Sequence, residues 1–259
     1  MDKLLNSASV TASAEPILQR VSRDRPFHWL SMGARDFMKA PVPGLIYGLM
    51  VVLLGYAILW GVRAEPFLVL TFLAGFLLLG PLAAMGIYES SRLLEQGRSV
   101  SFMQTWRAWR DNPVVIGLYI AFLSVIMIAW IRFTSLMLAL FFDRLPAGLQ
   151  TSWSSLFSTV EGLGFLGIFM TSGALAAVLV FMTGAVTLPM ITDRRGEIID
   201  GVVTSVRVVL QNPAAMAIWA GLLAALTAFG FATLMLGLMV ILPILGHATW
   251  HAYRELVHW

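Results

Sequence analysis

The chain has 259 residues, 59% hydrophobic and only 12% charged, with a mean hydropathy of +0.83. A water-soluble domain carries roughly 25% charged residues, so a soluble surface is excluded, and a net charge of +3 is no nucleic-acid signature. The absence of cysteine excludes disulfides, thiolate-bound zinc and iron–sulfur clusters.

Residues 1–27 are polar and lack the apolar core of roughly 7–15 residues that a signal peptide needs. They read as a flexible cytoplasmic tail ahead of a single transmembrane domain over 28–259. A bilayer core of about 30 Å takes roughly 20 helical residues to cross, and the first such run, 43–61, carries no charge. A second follows at 66–87, with Gly80-Pro81 inside it. A third starts at Pro113 and extends to about 131, and a fourth lies within 162–192, with Pro189 inside. Between them the outer loop 142–161 places Leu149, Trp153, Leu156 and Phe157 on one helical face, which predicts a short helix on the outer membrane surface. The last stretch, 213–250, is free of charge and contains Pro243. Its length gives about 57 Å of helix, barely two crossings, joined by a tight turn near Gly230.

Six spans divide the basic residues unequally. One side receives Lys3, Arg20, Arg23, Arg25, Arg35, Lys39, Arg92, Arg98, Arg107, Arg110, Arg194, Arg195, Arg207 and Arg254; the other only Arg63, Arg132 and Arg144. The positive-inside rule puts the first side, and both termini, in the cytoplasm. Trp60 and Trp130 then mark the outer interface and Trp250 the inner one.

Superposing Pro41, Pro113 and Pro213 exposes an internal repeat. Four, seven and eleven residues earlier stand Phe37, Ala34 and Leu30; Trp109, Trp106 and Phe102; Val209, Val206 and Val202. That spacing draws an apolar stripe along a helix. Six residues before each proline is an arginine (Arg35, Arg107, Arg207), and six after is an aromatic (Tyr47, Tyr119, Trp219). The predicted fold is an all-α membrane protein of about six transmembrane helices. They form three parallel repeats, about 28–98, 99–196 and 197–259, each an interfacial amphipathic helix plus a transmembrane hairpin.

The run GPLAAMGIYESSRLLEQGRSVSFMQTWRAWRDNP (80–113), supported by LPMITDRRGEIIDGVVTSVRVVLQNP (188–213), resembles a family of uncharacterised bacterial integral membrane proteins catalogued as a domain of unknown function. More distantly, the repeated pattern is similar to membrane domains that accompany glycerophosphodiester phosphodiesterases. The resemblance implies fold and location in the bacterial inner membrane, and no activity.

Candidate chemistry is sparse. His247 and His251, spaced i, i+4, are the weak candidates for metal or haem ligation, with His28 on the same side. The stretch lacks the glutamate of a zinc-peptidase helix. Arg35, Arg107 and Arg207 could grip a phosphate-bearing headgroup or another anion. Hydroxyls in the spans, such as Ser124, Thr171, Ser172, Thr183 and Thr187, suit helix–helix contacts, and small residues mark packing faces: Gly44, Gly48 and Gly55; Gly173, Ala177 and Gly184; Ala217, Gly221, Ala224 and Ala228. No nucleophile elbow, phosphate loop or carboxylate pair is present, so no enzyme and no cofactor is predicted. The expectation is an accessory or structural subunit of a larger respiratory or transport complex, in contact with lipid and other subunits. A small transporter or lipid-handling protein with the arginines as collar is the alternative, and a haem-binding subunit comes last.

Overall fold

Three of the long apolar helices start at a proline, whose missing N–H is one that a first helical turn leaves unpaired in any case. The computed structural model describes residues 15–61, 84–107, 110, 113–142, 157–194 and 197–259. In chain order these form β1 (Ile17–Leu18), α1 (Arg25–Lys39), α2 (Pro41–Gly61), α3 (Met85–Glu95), α4 (Phe102–Trp106) and α5 (Pro113–Phe142). There follow α6 (Val160–Gly184), α7 (Thr187–Arg194), α8 (Ile198–Gln211), α9 (Pro213–Ala232), α10 (Leu238–Leu256) and β2 (Val257–His258).

Among the described residues four stretches are long and apolar enough to cross a membrane: Pro41–Trp60, Ile116–Phe141, Val160–Arg194 and Pro213–Ala232. They correspond to the expected first, third, fourth and fifth spans. The second, 66–87, lies outside the described residues apart from 84–87, as do Arg63, Arg144 and most of the outer-surface helix. Where the third span was expected to end near 131, α5 extends past an exposed Arg132 to Phe142, 30 residues in all, about 45 Å of helix. The expected sixth span is α10, which falls short of the hydropathy of the other four because His247, His251, Arg254 and Glu255 occupy its second half.

That mixed helix is the hub of the fold. Helices α1, α2, α3 and α9 all pack on α10, and the principal buried cluster centres there, with Trp29, Tyr88, Tyr119, Trp219, Trp250 and Tyr253 among its members. Close approach is obtained by omitting side chains: a Cβ on Gly33 would stand 2.5 Å from the Ile244 carbonyl oxygen, and Gly48 lies against the Met239 backbone. A separate aromatic cluster of Trp130, Phe165 and Phe169 joins α5 to α6. Trp130 and Trp250, expected at the membrane interfaces, are therefore core residues.

Two breaks have local causes. The α6–α7 junction at 185–186 precedes Pro189, which cannot donate to the Ala185 carbonyl. Across the break the Ser205 hydroxyl donates to the Met182 carbonyl at 2.7 Å and accepts from Val186 N–H at 3.4 Å, standing in for the helical bond between those two groups. The turn between α9 and α10 occupies 233–237 rather than Gly230, with Leu234 and Met235 both at positive φ (54° and 68°). Gly230 instead leaves room for the Leu238 side chain, and Gly237 N–H is capped by Thr233 Oγ1 at 2.8 Å.

The domain boundary at residue 28 needs correction, since residues 17–27 are joined to the helical body. Ile17 and Leu18 pair antiparallel with His258 and Val257. The Asn212 side chain accepts from Val21 N–H at 2.9 Å and donates to the Gln19 carbonyl at 3.0 Å. Nor do the span hydroxyls bridge helices: Thr171, Ser172 and Thr183 donate to carbonyls four residues back on their own helix.

Candidate functional site

The apolar stripes of α1 and α8 are only half-buried. The fully enclosed face of α1 is a different one, holding Trp29, Gly33 and Asp36. Because Gly33 lets α1 approach α10 so closely, the Asp36 carboxylate reaches the two imidazoles of α10. His251 Nε2 lies 2.8 Å from Asp36 Oδ2. Ser91 of α3 donates to the same oxygen at 3.0 Å, and its Oγ lies 2.7 Å from His247 Nδ1. All four residues are buried. With Asp36 ionised, the serine proton is committed to the carboxylate, so Ser91 Oγ accepts from His247 Nδ1–H. That leaves His247 Nε2 as the bare nitrogen, buried and without a partner among the described residues.

Burial alone would raise the Asp36 carboxyl. The hydrogen bond and charge of His251 and the Ser91 hydroxyl outweigh it and hold Asp36 below the ordinary carboxylate value. One turn further along α10, Glu255 accepts from Arg25 (2.6 and 2.9 Å) and from the Trp29 indole N–H (2.8 Å). On the other side of α10, Tyr253 donates to Asp193 of α7 at 2.8 Å, and Arg254 reaches Asp193 (3.4 Å) and Glu95 of α3 (3.3 Å).

Each of the two candidate histidines is thus engaged in holding helices together, and His28 stands apart, exposed on α1. Among the described residues no group of three or more His, Asp or Glu is placed to hold a metal ion. Arg35, Arg107 and Arg207 are exposed, and no side-chain hydrogen bond or ion pair links any of them to another described residue. Asp36 and Ser91 were missed by sequence reasoning. A signal for Asp36 existed: five residues before the repeated proline it stands where the other two copies have Ala108 and Val208.

A second feature is a cleft of about 230 Å³ between α6, α9 and α10, floored by Ala84 and Tyr88. Its walls are almost wholly apolar, including Val180, Phe181, Trp219, Leu223 and Leu245. Left empty, such a volume costs on the order of 5 kcal/mol at about 24 cal/mol per Å³.

Apolar helices long enough to cross a bilayer, packed around a hub whose charges are answered internally, define an α-helical integral membrane protein. Residues 68–193 match the family described as "Predicted integral membrane protein (DUF2189)", and the chain is similar to that family over this stretch. Neither a curated protein nor a solved structure matches it.

Proposed function

We propose that the chain is a non-catalytic subunit of a larger assembly, a respiratory or transport complex in the bacterial inner membrane, with both termini in the cytoplasm. The observation that carries this reading is the outward face of α9. Ala217, Gly221, Ala224 and Ala228 line it and are all exposed, and among the described residues nothing lies within 4 Å of where a Gly221 Cβ would stand. Small residues let membrane helices approach backbone to backbone. On α2 the corresponding stripe is in use: Gly44, Gly48 and Gly55 meet Pro243, Met239 and Met235. The stripe on α9 is open to a neighbouring helix.

The topology in this reading has six crossings in three units, with 66–87 and α10 as return helices. In its support, prolines start α2, α5 and α9, and Tyr47, Tyr119 and Trp219, each six residues later, are all buried. So are two of the three residues eight positions before the prolines that are polar, Thr105 and Ser205, and the third is Gly33.

The test is purification in a mild detergent, comparing the natural chain with a Gly221→Leu, Ala224→Leu variant. Both positions face outward, so the chain's own packing is preserved. A stoichiometric membrane partner should accompany the natural chain and be lost from the variant. A chain that isolates alone, or a partner retained equally by both, refutes the reading.

A second reading, lipid handling, is favoured by the exposure of Arg35, Arg107 and Arg207, each six residues before a repeated proline. Guanidinium groups with no carboxylate partner among the described residues can serve phosphate headgroups. Replacing all three by glutamine should lower the amount of anionic lipid that co-purifies; unchanged lipid rejects the collar.

A further inference from the structure

We propose that the cleft between α6, α9 and α10 binds one hydrocarbon chain, the acyl or isoprenoid tail of a membrane lipid, entering sideways from the bilayer. The inference depends on neither the partner-docking reading nor the arginine collar. It rests on the inner side of α9, where Trp219, Leu223 and Thr227 face the cleft, away from the small-residue stripe of Ala217, Gly221 and Ala224.

The chemistry of the walls selects the occupant. Space is made by Ala84, Ala177, Gly184 and Gly246. The two glycines have their other sides filled: a Cβ on Gly184 would stand 2.8 Å from the Tyr119 hydroxyl, and one on Gly246 2.9 Å from Ile87. The gap is therefore bounded by packed structure rather than by side chains able to collapse into it. Its polar atoms are few, and those of Thr249 and Tyr88 are already committed. Thr249 donates its hydroxyl to the Leu245 carbonyl at 2.7 Å, and the Tyr88 hydroxyl pairs with Thr249.

A polar headgroup would find few polar groups in such walls, and a water needs two to four polar partners to stay, roughly as in other buried sites. At about 230 Å³ the volume exceeds the apolar cavity of about 150 Å³ that stays dry and admits benzene. α6 and α9, which form two of its walls, are among the helices apolar enough to cross a membrane, so the medium at its mouth is itself hydrocarbon. A flexible chain fits these conditions.

The experiment uses the full chain, delipidated in detergent and titrated with cis-parinaric acid, whose polyene accepts energy from tryptophan; Trp219 lines the cleft. The natural chain should show saturable transfer at one probe per chain. Oleate and geranylgeraniol, added in separate arms, distinguish an acyl from an isoprenoid occupant by which displaces the probe. Ala177→Phe, at the exposed mouth, should weaken binding at least tenfold, whereas Ala217→Phe, on the opposite face of α9, should leave it unchanged. Native mass spectrometry of both variants, read for retained lipid, separates loss of the site from loss of the fold. Transfer that rises without saturating, or that is equal in Ala177→Phe and the natural chain, overturns the proposal.

Discussion

Replacing Asp36 by alanine removes the acceptor that His251 and Ser91 share and leaves two donors buried beside α1. Breaking a buried charge pair by removing one partner costs about 3–5 kcal/mol, most of it the penalty of the groups left behind. Asparagine at the same position keeps a side-chain oxygen for both donors and loses only the charge assistance, a cost of about 1–3 kcal/mol. The readout is amide hydrogen exchange over residues 25–39 in lipid nanodiscs, which measures local opening of α1 rather than global unfolding. At about 1.4 kcal/mol per tenfold, Asp36→Ala should speed exchange by roughly two to three and a half orders of magnitude. Asp36→Asn should fall clearly below it. Exchange in Asp36→Ala within threefold of the natural chain, or equal in the two variants, would refute the assignment of α1 docking to the carboxylate.

Acidification should act on the same helix. The Asp36 carboxyl is held below its ordinary value, so its contribution is complete above the normal carboxylate range and disappears as the pH falls below it. Protection of α1 should therefore drop on acidification, and an Asp36→Asn variant should lose that dependence. Gly33→Ala places a Cβ against the backbone of α10 and should lower thermal stability by about 1–3 kcal/mol, as overpacking does. Ser205→Ala strands the Met182 carbonyl and Val186 N–H at the α6–α7 break, for a loss of about 1–3 kcal/mol. Its signature should be faster exchange confined to 182–190.

The starts of α2, α5 and α9 were legible because proline and hydropathy agree there, and both signals are local. The packing stripe on α2 was legible for the same reason: three glycines spaced along one helix need no knowledge of the partner. What could not be read is which face of α1 goes inward. Its apolar stripe, Leu30, Ala34 and Phe37, is half-buried, while Trp29, Gly33 and Asp36 form the enclosed face. A helix that docks on protein through a glycine and a charge has a buried face invisible to hydropathy, because its burial is stabilised by groups distant in sequence. Asp36 is 215 positions from His251. Trp250 misled in the same way: tryptophan near the end of a membrane helix suggests an interface, and only the packing of α10 inside other helices makes it core.

That enclosure also explains how a helix with α10's composition can belong to a membrane protein. On insertion scales a charged residue at a bilayer centre costs about 2.5–3.5 kcal/mol, and α10 carries an arginine, a glutamate and two histidines within its last ten residues. Each is met by a group from another element. Ser91 of α3 meets His247, Asp36 of α1 meets His251, and Asp193 and Glu95 meet Arg254. Arg25 and Trp29 of α1 meet Glu255. None of these partners comes from the long apolar helices α2, α5 or α9. Helix α1, which does not itself cross, is thus as necessary to the central helix as the apolar helices around it, and the first described residues close back onto the last through β1 and β2. Opening α1 therefore exposes the charges of α10 as well as its own, which is why a single carboxylate, Asp36, commands the stability of the hub.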